Sequence, residues 1–361
     1  DLHLCDRRQR QMCIRDSKQG YQKQMIIGII KETSPFETRV AATPQTTARF
    51  HQSGFTVMVE HNAGKASGFK NEAYLEAGAV IQQNAVDVLR QADVLLKIQA
   101  PALAEIKRLK PHAVIIGDFQ NLSSSDALEK LKSLPVTCFA LEKLPRLSRA
   151  QPFDILSSQN NLAGYQAVIR AAGFSSRIIP LMITSAGTIP PLKFLIVGVG
   201  VAGLQAIATA KRLGGKVYAS DTREEVKDQV KSLGASFIED ITPFLPQADV
   251  IITSAFSAGK KAPLLITRNM LRTIPQGAVL IDMAAGFGGN IEGSVNFKAI
   301  YADNCIIYGN SNLAADIPAS ASLLFANNLY NFLMYIYSPE QTAVAPDFND
   351  PLISETCIVK G

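Results

Sequence analysis

Tryptophan is absent from this chain of 361 residues, and cysteine and histidine are scarce, at five and four. The cysteines (5, 13, 138, 305 and 357) are scattered without a CxxC pair or zinc spacing, and the histidines form no metal pattern. A structural or catalytic metal site is therefore not expected, and the cysteine usage points to a reduced intracellular compartment. No uncharged apolar run reaches the roughly 18 residues of a membrane span, so no direct span is expected. Charge of one sign is also in short supply. The formal net charge is +5, but residues 1–24 contribute +3 of it, which leaves no basic footprint for nucleic acid.

Hydrophobic residues are plentiful instead, at 47% of the chain, enough for two cores at this length. Residues 1–24 stand apart: polar, aperiodic and without an apolar signal-peptide core, with Asp1, Asp6 and Asp16 opposing a transit peptide. They are expected to be a non-native or disordered extension, with Met25 as the natural start. From Met25 onward, buried strands (25–30, 56–60, 92–98, 113–117) alternate with helical stretches (from Thr43-Pro44 to about Ser53, and 71–77). That alternation implies an α/β fold of two Rossmann-like domains, each with a mainly parallel sheet, the second binding the dinucleotide. The expected division is 25–158 for the first, 159–319 for the second with its linking helix, 320–337 for a helix returning to the first, and 338–361 for a tail. That tail reads as a linker or a partner-contacting arm.

The most informative stretch is KFLIVGVGVAGLQAIATAKRLGGKVYASDTR, residues 193–223. It reads as strand, glycine turn, helix, strand and acid. Gly198 permits the tight turn, Gly200 lets backbone approach a pyrophosphate, and Gly203 lets the helix lie close to its strand. The helix N-terminus, opening at Val201, offers free N–H groups to phosphate. Asp221, 18 residues past Gly203, can accept from both hydroxyls of an adenine ribose and repel a 2′-phosphate, which favours NAD over NADP. Thr222 and Arg223 follow it into the same rim. Ser254-Ala255 and Asn312 stand just past strands, where ligands sit in such sheets. Further strands are expected at 250–253, 279–281 and 305–308.

Three other residues admit two readings each. Lys97 closes an apolar strand and is either an acid–base lysine or a strand-end lysine reaching solvent. Arg39 either binds a carboxylate or pairs with a neighbouring acid. His112, beside Pro111 in a loop, is more often structural. Between Arg146 and Gln159 lies a dense set of polar groups ahead of a helix expected from Asn161 to Ala172. Part of this is a helix cap, but a cap needs one serine, not so many donors and acceptors.

That stretch, RLSRAQPFDILSSQNNLAGYQAV, resembles the loop and helix of the NAD(H)-binding alpha subunit of proton-translocating NAD(P) transhydrogenases. ETRVAATP near the start, GFKNEAYLEAGA at 68–79, the glycine turn, GKKAPLLIT at 259–267 and SLLFANNLYNFL at 322–333 share the resemblance, which spans Met25 to about Tyr337. It implies that Arg146, Gln151, Asp154 and Ser157 orient the nicotinamide and its ribose toward NADP(H) on a partner subunit. It also implies NADP-binding and membrane subunits as partners and a homodimer. The implied location is cytoplasmic and peripheral on the inner membrane through those partners, or on the mitochondrial matrix side in a eukaryote. Two departures stand out. Only SFIEDITPFLPQ joins Ala235 to Ala248, where the family inserts a long mobile loop, and Gly286 stands where relatives carry an acid. Alanine dehydrogenases share the two-domain fold and are the alternative, but the loop Gly117 to Asn121 lacks their catalytic histidine, and of that apparatus only Arg39 and Lys97 remain. A non-catalytic NAD-binding module is the third reading.

Overall fold

The computed structural model describes residues 24–120, 125–256, 261–302 and 304–361, with only the backbone described at 125–127. The expected extension therefore lies outside the described residues except for Gln24, whose Oε1 accepts from Thr56 Oγ1 at 2.9 Å. Two seven-stranded sheets organise the chain. The first runs, edge to edge, Cys357–Val359, Val136–Ala140, Ala113–Asp118, Val94–Gln99, Ile26–Ile29, Thr56–Glu60, Val80–Gln82. The second runs Ser236–Phe237, Lys216–Ser220, Lys193–Val197, Val250–Thr253, Ala278–Asp282, Cys305–Gly309, Lys298–Ala302. Pairing is parallel throughout except at one edge of each, Cys357–Val359 and Lys298–Ala302. The expected fold class holds. Central strands such as Phe194–Val197 are unbroken apolar runs because both their faces are covered.

Three helices set the position of everything functional. Helix α1 (Ile155–Phe174) begins with Ile155 in the first core, and its Ala163, Ala167, Val168 and Ala171 lie in the second. Helix α2 (Val201–Arg212) follows the glycine turn. Helix α3 (Pro318–Ile336) carries the chain back, burying Phe325, Leu329, Phe332, Leu333 and Ile336 in the first core. Helices α1 and α2 touch backbone to backbone: a Cβ added at Gly164 would lie 2.1 Å from Ala202 O, so only glycine allows this approach.

Three expectations need correction. Helix α1 starts at Ile155, ahead of Asn161, because Asp154 caps it and the polar run Ser157 to Asn161 forms its first turns. The tail is neither linker nor arm. Leu352 and Ile353 enter the first core, and Cys357–Val359 pairs with Val136–Ala140 as an edge strand. The short strands Val80–Gln82, Val136–Ala140 and Lys298–Ala302, and the hairpin Met182–Thr184 with Gly187–Ile189, were not expected. Each is too short for its alternation to stand out from neighbouring polar residues. The connection from Ser236–Phe237 to Val250 is a compact turn, Thr242–Gln247, pinned by buried Phe244 and Leu245.

Candidate functional site

The glycine turn leaves the strand Lys193–Val197 with Gly198 at φ +96°, a conformation that favours glycine. A Cβ on Gly203 would lie 1.9 Å from Gly198 O, so that glycine is required by the protein's own backbone. Gly200 is different. Its φ of −83° suits any residue, and no described heavy atom lies within 4 Å of a Cβ added there. Nothing described in the chain demands glycine at 200, and the space in front of it is open. That space adjoins the start of α2, where no side chain caps the helix and Val201 is exposed, so first-turn N–H groups are available to an anion. The turn thus fits a dinucleotide pyrophosphate.

Asp221 closes the neighbouring strand and accepts from Val199 N at 2.7 Å and from Arg223 N at 2.9 Å. Burial works against its ionisation, but the Arg223 guanidinium and these N–H groups outweigh it and hold the carboxyl below its ordinary range. Thr222 beside it is exposed. Ser254 Oγ donates to Gly198 O at 3.0 Å, and Ala255 N donates to Asn290 Oδ1 at 3.1 Å. These residues form one rim with the turn.

Sequence reasoning missed the residues that fix this rim. Asn290, fully buried, donates through Nδ2 to Ala255 O and Pro263 O, both at 2.8 Å. Asp282 beneath it accepts from the N–H groups of Ala284, Asn290 and Ile291. Burial raises its carboxyl above the ordinary value against those bonds. The only signal was a polar residue at each end of the apolar-to-glycine run IDMAAGFGGN. Within that run, a Cβ at Gly286 would lie 2.4 Å from Ser311 Oγ and 2.9 Å from Asn296 Nδ2. The room for the acid that relatives carry is filled here by Ser311 and Asn296.

Segment 36–39 ties the two units together. Glu37 takes a bidentate hold on Arg39 (2.8 and 2.7 Å), Arg39 Nη1 donates to Gln159 of α1 at 2.8 Å, and Asn312 Nδ2 donates to Glu37 Oε2 at 3.2 Å. Thr38 Oγ1 donates to Ala315 O. Burial alone would raise the Glu37 carboxyl, but Arg39 wins and holds it low. Phe36 and Phe297, both at positive φ, stack with ring centroids 4.3 Å apart. Arg39 thus pairs with a neighbouring acid. Lys97 fits neither of its two expected readings, being 1% exposed and ion-paired with buried Glu32 at 2.9 Å. A strand-end lysine this deep needs such a partner. Burial pushes Asp118 up to about 6, and burial together with Asp118 pushes Glu142 up to about 7. His112 sits at φ 64° with its N–H on Pro135 O, a structural place.

The loop ahead of α1 is a short 3-10 turn, Ser148–Phe153, braced by Asn328 Nδ2 on Pro152 O. Asp154 caps α1 by accepting from Ser157 N at 2.8 Å and Ser157 Oγ at 2.5 Å. Arg146 and Gln151 are exposed, and their side chains make no hydrogen bond to another described residue. Arg149 pairs with Asp350 at 2.6 Å. The loop and the glycine turn are separate ledges. Asp154 opens α1, and Gly164, about 15 Å along the helix, touches the start of α2.

A two-domain protein of the Rossmann class, with one glycine turn in its second half and a polar loop at the domain junction, is what these features define. Residues 28–163 match the family Alanine dehydrogenase/PNT, N-terminal domain, and residues 167–361 match Alanine dehydrogenase/PNT, C-terminal domain. In Rhodospirillum rubrum, the first of the separate chains that make up NAD(P) transhydrogenase subunit alpha is 39% identical over 93% of this chain and 96% of its own length. The Haemophilus influenzae NAD(P) transhydrogenase subunit alpha is 36% identical over 93% of this chain and 71% of its own. The solved transhydrogenase structure from Sinorhizobium meliloti superimposes with a TM-score of 0.88 at 41% identity, covering 93% of this chain and 99% of that one. An L-alanine dehydrogenase structure (TM-score 0.80, 22% identity, 92% and 94% covered) shows the shared fold alone. The chain belongs to the alanine dehydrogenase/PNT family, among the alpha subunits of NAD(P) transhydrogenases.

Proposed function

We propose that this chain is the NAD(H)-binding component of a proton-translocating transhydrogenase and passes hydride between NADH and NADP+ held by a partner subunit. The observation that carries the binding half is Gly200, a glycine that no described neighbour requires, facing open space at the uncapped start of α2. The N–H groups of that turn receive the pyrophosphate, and Asp221 receives the adenosine ribose. Ser254, Ala255 and Asn312 line the path to the loop. There Arg146 and Gln151, exposed and uncommitted among the described residues, meet the nicotinamide end, while Asp154 and Ser157 hold the loop's shape. When bound, the cofactor supplies the hydride. The chain's own residues position the ring, keep water from it and leave one face toward the partner's nucleotide.

Units at 25–158 and 159–319, with a returning helix at 320–337, match the way the two cores divide between the sheets. No helix among the described residues is long and apolar enough to cross a membrane, so attachment to the inner membrane runs through partner subunits. A second copy of the chain fits the hairpin around Met182–Ile189, where Leu181, Met182, Ile183 and Ile189 are exposed together. Fluorescence titration with NADH tests the binding assignment. Asp221→Ala is expected to weaken NADH by tenfold or more, since a hydrogen bond to a charged group contributes about 1.5–3 kcal/mol. An unchanged affinity would remove Asp221 from the site.

A further inference from the structure

The acceptor sites of Asp221 are already filled. Oδ1 accepts from Arg223 N at 2.9 Å and Arg223 Nε at 3.0 Å, and Oδ2 accepts from Val199 N at 2.7 Å and Arg223 Nη2 at 3.0 Å. A carboxylate offers about four such sites in all. Two of the four donors are backbone groups that shape the turn and the strand end, and they cannot leave without unmaking it. The other two belong to a side chain. Arg223 is 48% exposed, against 8% for the Asp221 carboxylate it covers, and its Nη2 also reaches Val199 O at 3.1 Å.

A ribose diol donates to a carboxylate through two O–H groups. It can do so here only by taking the two sites that the guanidinium holds. We propose that Arg223 is a specificity-determining residue, a fork that the adenosine ribose must displace and that, once displaced, stays at the ribose edge as a cation open to a 2′-phosphate. This rests on the assignment of Asp221 to the adenosine ribose.

Two consequences follow, of unequal size. Displacing a half-exposed ion pair costs little, because solvent screens it and both partners regain freedom. NADH therefore loses only a few-fold in affinity to the competition. A guanidinium freed beside a 2′-phosphate gains a bidentate, charge-assisted partner, which matters much more. With Arg223 present, the repulsion between Asp221 and NADPH is blunted, and NADH is preferred by less than a bare aspartate would give.

The test is equilibrium binding of NADH and NADPH to the full chain and to Arg223→Met, which keeps the stem and removes the fork, with Arg223→Lys and Asp221→Ala alongside. Arg223→Met should bind NADH as tightly as the parent or up to about fivefold tighter, and NADPH at least tenfold more weakly. Arg223→Lys, which keeps the charge without the fork, should hold NADPH within about threefold while sharing any gain in NADH. A parallel loss of both nucleotides in Arg223→Met, or an unchanged ratio, overturns the proposal, because Arg223 would then be a shared contact or a brace. If Asp221→Ala leaves NADH binding intact, the ribose assignment itself fails. If Asp221→Ala weakens NADH while Arg223→Met leaves the ratio alone, only the role of Arg223 fails. Melting temperatures of all three variants show whether any change reflects folding.

Discussion

Replacing Gly200 with alanine separates a ligand's demand for space from the protein's own. The new methyl points into a region where no described atom lies within 4 Å, and the backbone φ of −83° is open to alanine. Gly200 is the residue just before α2, where glycine is slightly preferred to alanine, by a few tenths of a kcal/mol up to about 1. Against that, alanine narrows the unfolded ensemble, worth about 0.4–1 kcal/mol in the other direction. The two nearly cancel, so the melting temperature should hardly move. Binding should suffer badly. A pyrophosphate held by the first-turn N–H groups would have to retreat from the methyl, and losing two hydrogen bonds to a charged group costs about 3–6 kcal/mol, over a hundredfold in affinity. Gly203→Ala makes the contrast. Its methyl would lie 1.9 Å from Gly198 O, so it should lower stability by roughly 1–3 kcal/mol or more as well as binding. Thermal melting and NADH fluorescence titration on the two variants are sufficient. If Gly200→Ala binds NADH like the parent, the pyrophosphate does not sit on this turn.

Gln151→Asn keeps the amide and withdraws it by one methylene from an exposed position on the loop. Hydride transfer should fall by about 10²-fold because ring alignment is lost, while NADH affinity moves less than about threefold. Rate and affinity falling together, with lower stability, would make Gln151 only a brace. Glu142→Gln tests the buried carboxyls. The folded pKa of about 7 lies above the ordinary 4.5, so the native state binds the proton more tightly than the unfolded chain. Stability from this group is complete at low pH and is lost as pH rises through that window. Glutamine keeps an oxygen for Phe119 N and removes the penalty. It should therefore stabilise the protein at pH 8 by at most about 3 kcal/mol and have little effect near pH 4.5. An equal loss at both pH values would refute the shift.

The dinucleotide turn was legible because its parts are contiguous. Strand, glycines, helix and acid lie within residues 193–223, each with a local physical reason. What holds the turn in place was not. Asn290 grips Ala255 from 35 residues away, and Asn312 reaches Glu37 across 275. No periodicity or spacing encodes such pairs. Lys97 illustrates the same limit. Its burial was suggested by the apolar strand, but Glu32, the partner that makes burial tolerable, sits on another segment and had no local sign. The tail misled for the opposite reason. Its proline- and aspartate-rich start looks like a linker, yet Leu352, Ile353 and a three-residue strand at Cys357–Val359 are enough to bind it to the first sheet, whose exposed edge no local pattern announces.

Hydride transfer between nucleotides on two different subunits is the central claim, and one measurement addresses it directly. The chain, loaded with NADH, is mixed with an NADP-binding transhydrogenase subunit carrying an oxidised NADP analogue, and reduction of the analogue is followed by absorbance. Reduction should appear only when both proteins are present, and pyruvate with ammonia should leave NADH unconsumed by the chain alone. No reduction with the partner, together with NADH oxidation by pyruvate and ammonia, would contradict the claim and make the chain a stand-alone dehydrogenase.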